Sequence, residues 1–70
     1  MAERNDLEDV LEGIVDQTGL SATIDALATV CVTKADHLKA NWQDQVAARP
    51  WTRLGLRLDT VAAAAKREGL

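Results

Sequence analysis

The stretch from Gly19 to Asp44, GLSATIDALATVCVTKADHLKANWQD, limits what this chain can fold into more than any other part of it. At about 100° per residue, Leu20, Ile24, Leu27, Cys31, Ala35, Leu38 and Trp42 fall within an arc of roughly 80°. Asp25, Thr29, Asp36 and Lys39 project the other way, towards water. The stripe repeats about every 3.67 residues, which suits a straight helix better than a left-handed supercoil. Val30 and Val32 flank the arc on opposite sides, so the apolar sector is wider than one neighbouring helix fills. One neighbour is expected from the same chain and the second from another copy. The expected state is therefore a homodimer formed through the wide face of this central helix.

The flanking segments read as shorter helices that cover it. Leu7, Val10, Leu11, Ile14 and Val15 make an inward face, with Asn5 or Asp6 as the cap and Thr18-Gly19 as the stop. Glu8, Glu12 and Asp16 share another face at i, i+4 spacing, a like-charge arrangement that calls for a basic neighbour. Near the C-terminal end, Trp51, Leu54, Leu58, Val61 and Ala65 step by three and four and predict a core seam. Pro50 either opens a new helix after a short turn over 44–49 or kinks a continuous one. The pattern thus predicts helices over about 6–17, 20–42 and 50–67, with residues 1–5 frayed. The expected fold is all-α: a single domain over 1–70, a small three-helix antiparallel bundle completed by homodimerisation.

Seventy residues form a small core that depends on regular packing or on a partner. The single cysteine, Cys31, excludes an internal disulfide and lies mid-stripe, which predicts a buried, reduced thiol in a cytoplasmic protein. No basic-then-apolar leader opens the chain and no apolar run approaches a membrane span, so no membrane association is expected. Charge is lopsided. Residues 1–20 carry six acids and one arginine, while residues 49–70 carry five bases and two acids. Such ends favour pairing with each other, within a chain or between copies.

Beyond Cys31, the residues Lys34, Ala35, His37, Asn41, Trp42, Gln43 and Asp44 form the pattern C-x-x-K-A-x-H-x-x-x-N-W-Q-D. This stretch resembles one found in small bacterial helical proteins. The resemblance implies a compact helical bundle from a bacterium or its mobile elements and carries no activity with it. The residues also have a structural reading. Asn41 and Gln43 can satisfy the last helix carbonyls, Trp42 can close the end of the core, and Asp44 can cap the segment after it.

Residue patterns that would carry chemistry are missing. His37 with Asp36 or Asp44 makes a poor metal site, and Cys31 and His37 point in different directions. Gly13, Gly19, Gly55 and Gly69 are too scattered to form a phosphate loop. The turn Gly19-Leu20-Ser21 superficially resembles that of a helix-turn-helix, but Asp25 stands where that motif needs a buried aliphatic. No catalytic residue, cofactor or metal is therefore expected.

The most informative surface is a row of Arg49, Arg53 and Arg57 with Leu56 exposed among them. The row either pairs with the acidic first helix or binds a protein partner, because arginine beside an exposed aliphatic suits an interface. Three arginines without aromatics in a chain of pI 4.9 make a nucleic-acid partner the weaker reading. The expected function is a non-catalytic interaction or regulatory module that binds another protein. Arg49, Arg53, Leu56 and Arg57 would carry that contact, with Trp42, Gln43, Asp44 and His37 as a second corner. The alternative is a nucleic-acid-associated accessory protein using the arginine row.

Overall fold

Two short breaks, one at Gly19 and one around Gln43, divide the chain into three helices. The computed structural model describes residues 2–41 and 43–70, with side chains described from Asp6 onward. The helices are α1 (Ala2–Thr18), α2 (Leu20–Asn41) and α3 (Gln45–Arg67), and the described residues contain no strand. Trp42, expected to plug the core, lies outside the described residues, as does Met1.

Each boundary has a local cause. At Gly19 the backbone turns left-handed, with φ at 92°, where a side chain would be strained. Its N–H donates to the Val15 carbonyl at 2.7 Å, closing α1, and its own carbonyl accepts from Thr23 N–H at 3.1 Å, opening α2. This single residue therefore ends one helix and caps the next. Ser21 lies within the first turn of α2, and its N–H donates to the Leu70 carbonyl at 3.1 Å. Leu70 reaches that position through a Schellman turn. Gly69 has φ at 81°, Gly69 N–H donates to Lys66 and Leu70 N–H donates to Ala65.

One further boundary differs from expectation. Helix α1 begins at Ala2, so Asn5 and Asp6 are inside it and not at its cap. Of the two arrangements that Pro50 left open, the structure has the continuous helix: α3 begins at Gln45, five residues before Pro50, and runs on with the proline inside it. The cost is limited by position: Pro50 is exposed, and the carbonyl it leaves without a donor belongs to Val46, which is 71% exposed and within reach of water. The packing of Ala48 and Trp51 on α2, either side of the proline, offsets the lost hydrogen bond.

Helices α2 and α3 pack closely as an antiparallel hairpin. Its core is made of small side chains: Ala28, Cys31 and Ala35 from α2, and Ala48, Gly55, Ala62 and Ala65 from α3. The positions Ala48, Gly55 and Ala62 recur every seven residues and bring α3 close to α2 along its whole length. A Cβ built on Gly55 would lie 3.4 Å from both the Ala28 carbonyl oxygen and Cys31 Cβ. Ile24, Leu38, Trp51 and Leu58 border this seam half-buried. Lys34 Nζ sits 5.8 Å from the centre of the Trp51 ring, a cation–π contact linking the helices.

The seam is rotated from the predicted one. Leu54 and Val61, expected in the core, are 51% and 49% exposed, and Leu27 is 46% exposed. The reason is steric: helices this close admit only alanine, glycine or cysteine between their axes, so the large aliphatics are displaced to the edges. Helix α3 also occupies the middle of the wide face of α2. Val30 and Val32 are left exposed on opposite edges of the hairpin, where no single flat partner covers both.

Helix α1 does not complete a three-helix bundle. Among the described residues it contacts α2 but not α3. Leu7 and Val10 are about three-fifths exposed, and Leu11 and Ile14 are both 40% exposed. The outline of 38 × 33 × 16 Å is a slab, and the radius of gyration of 14.2 Å exceeds the roughly 11 Å expected of a compact chain this long.

Candidate functional site

Helix α3 carries most of the residues singled out in the sequence. At 100° per residue, Arg49, Arg53 and Arg57 share the side of α3 turned away from α2, and all three are exposed. Leu56 lies beside them and is 63% exposed. The row and its aliphatic neighbour therefore form one continuous outer edge of the hairpin. Among the described residues α1 does not contact α3, so the acids described on the first helix and this basic edge are not brought together.

At the turn between α2 and α3, Arg49 and Arg53 meet Lys39, Gln45 and Thr52 around a shallow recess. Lys39 was legible only as a solvent-facing base. Its convergence with two arginines depends on the antiparallel register, which no local spacing reveals. Gln43 and Asp44 border the same turn. Gln43 takes a left-handed conformation with φ at 51°, and Asp44 N–H donates to the Leu38 carbonyl at 3.0 Å.

Asp44 has a defined structural task. Its carboxylate accepts from Ala47 N–H at 2.9 Å and caps α3. The Asp44→Ala variant is expected to lose about 1 kcal/mol of stability, and Asp44→Asn to lose much less, as read by thermal melting. Equal losses in both variants would show that the charge, and not the cap, is what matters.

His37 is exposed on the outer side of α2, with the width of the hairpin between it and the arginine row. It does not join that surface. Cys31 is buried against Gly55, where a compact side chain is needed. Among the described residues, no three His, Cys, Asp or Glu side chains cluster in a way that would hold a metal ion. No described helix is long and apolar enough to cross a membrane.

No family model, curated protein or solved structure matches this chain.

The surface that sequence reasoning missed is the broad side of the hairpin. With α2 and α3 antiparallel, Leu27 and Val30 of α2 fall on the same side as Leu54 and Val61 of α3. All four are about half exposed. Lys34 and Arg57 belong to this side too. The opposite side holds a recess lined by Ser21, Asp25, Asp59 and Lys66 together with Ala22, Ala62 and Ala63, and it carries the exposed Val32. The cluster of four aliphatics on one face is a property of the pair that neither helix shows alone.

Proposed function

We propose that this chain is a non-catalytic interaction module that associates with a second copy of itself and binds another protein. The observation that carries the reading is the amount of surface the chain leaves uncovered. A folded monomer of 7.6 kDa is expected to expose about 4,300 Å². This chain exposes 5565 Å², roughly 1,300 Å² more than that scaling gives. Covering that excess on two copies would bury about 2,600 Å² in total, within the range of obligate homodimers. The apolar stripe of α1 and the broad side of the hairpin supply the surface that such a dimer would bury.

The arginine edge is the surface through which the module binds its protein partner. Arginine is enriched at protein interfaces, and Leu56 gives the edge an apolar centre. The double variant Arg53→Glu/Arg57→Glu is expected to abolish capture of the native partner and leave helicity unchanged by circular dichroism. Undiminished capture by the folded variant would remove the edge from the account.

A second reading draws on the recess where Lys39 joins Arg49 and Arg53, a set of cations suited to phosphate. On that reading the chain is an accessory protein on nucleic acid. Three phosphate contacts would give a log–log salt slope of roughly −2.7 on duplex DNA. A flat salt response, or no binding, favours the protein partner.

A further inference from the structure

The joint between α1 and α2 is a single residue, Gly19, and it is tightly held. Thr18 Oγ1 donates to the Ile14 carbonyl at 2.7 Å and lies 3.1 Å from Thr23 Oγ1. Thr23 Oγ1 donates to the Gly19 carbonyl at 2.8 Å, and Ser21 N–H is taken by Leu70. The space a Cβ on Gly19 would need is bounded by the Leu70 carbonyl oxygen at 3.1 Å. Antiparallel helix pairs are joined by about two to five residues. One residue is too short to lay α1 back along the hairpin it leaves. The apolar side of α1 therefore has no route to the apolar side of its own hairpin.

We infer that two copies assemble by exchanging α1, each placing the Leu7, Val10, Leu11 and Ile14 stripe on the broad hairpin face of the other. This rests on the dimer proposed above and specifies how its interface is built. The receiving face is the one made by Leu27, Val30, Leu54 and Val61. Its dimensions fit: the 17 residues of α1 span about 25 Å at 1.5 Å per residue, and the 22 of α2 span about 33 Å.

Uncovered surface points to the same occupant: the chain exposes 5565 Å² where its mass gives about 4,300 Å², an excess that two copies would bury on each other. The arrangement is reciprocal, so one twofold axis closes the assembly and covers both apolar surfaces at once.

The test uses the full chain with Cys31→Ala, so that introduced thiols are the only ones. A tagged chain carrying Leu11→Cys is mixed with an untagged chain carrying Leu54→Cys and oxidised, and the pairing is repeated from Leu7 and Ile14 to Val61. A chain carrying both Leu11→Cys and Leu54→Cys is oxidised alone, and sedimentation is measured on the unoxidised protein. The expected result is a mixed covalent dimer from the two-chain experiment and an intermolecular product from the doubly substituted chain. A dimer by sedimentation with no cross-link at any α1–hairpin pairing overturns the exchange and leaves dimerisation standing. Closure within a single chain overturns it by showing that α1 folds back. A monomer by sedimentation overturns the exchange together with the dimer on which it rests.

Discussion

Replacing Gly55 with leucine lowers the thermal midpoint by roughly 10–20 °C, whereas Gly55→Ala shifts it by only a few degrees. The two substitutions separate backbone preference from space. Gly55 lies within α3, where alanine is favoured over glycine by about 1 kcal/mol in an open helix. Here the new Cβ meets the Ala28 carbonyl oxygen and Cys31 Cβ at 3.4 Å and Val32 Cγ2 at 3.6 Å, so tight contact offsets that gain. Leucine adds three further carbons with nowhere to go. The helices must separate, and Ala28, Cys31 and Ala35 lose their contacts together. Overpacking of this kind costs about 2–3 kcal/mol, and each kilocalorie shifts the midpoint of so small a domain by about 4–8 °C. Thermal melts followed by circular dichroism read both variants directly. A Gly55→Leu variant that melts with the parent chain would show that α2 and α3 do not meet through this seam.

The second large effect is on association. The pair Leu54→Asp and Val61→Asp raises the dimer dissociation constant at least a thousandfold and barely changes the stability of the isolated chain. Both positions are about half exposed, and substitutions at such sites usually move stability by only a few tenths of a kcal/mol. In the assembled form the exposed half of each aliphatic would be covered, contributing about 1 kcal/mol. Both copies carry both substitutions, so four such side chains are lost, removing about 4 kcal/mol, equivalent to roughly three orders of magnitude in affinity. A carboxylate on the covered face adds a desolvation cost in the same direction. Sedimentation equilibrium across a concentration series gives the constant, and denaturant melts at low concentration give the chain's own stability. Unchanged association in the double variant would place the interface elsewhere.

The helical character of the chain was fully legible, because the stripe through Ile24, Cys31 and Leu38 fits only one period, and those residues do face α3. The identity of the core was not. Sequence patterns rank positions by hydrophobicity, which promotes Leu27, Leu54 and Val61 and passes over Ala28, Ala48 and Gly55. Close approach reverses that order, since the smallest side chains occupy the line between the axes. The seven-residue spacing of Ala48, Gly55 and Ala62 was the available signal. Pro50 left two arrangements open for a related reason: its local cost was visible, while the packing that offsets it is tertiary. The exposed arginines and Leu56 were readable from the seam opposite them. Lys39 beside Arg49 was not, because it needs the register of two distant segments. What covers α1 was not legible: an amphipathic stripe shows that a helix needs cover and says nothing about which chain provides it.

All of this depends on the chain being incomplete as a single copy. Sedimentation velocity of the unmodified protein at micromolar concentration tests that most directly. The expected result is one species at twice the chain mass, with slower-sedimenting material appearing only on strong dilution. A single species at the mass of one chain, unchanged as concentration rises, would contradict it.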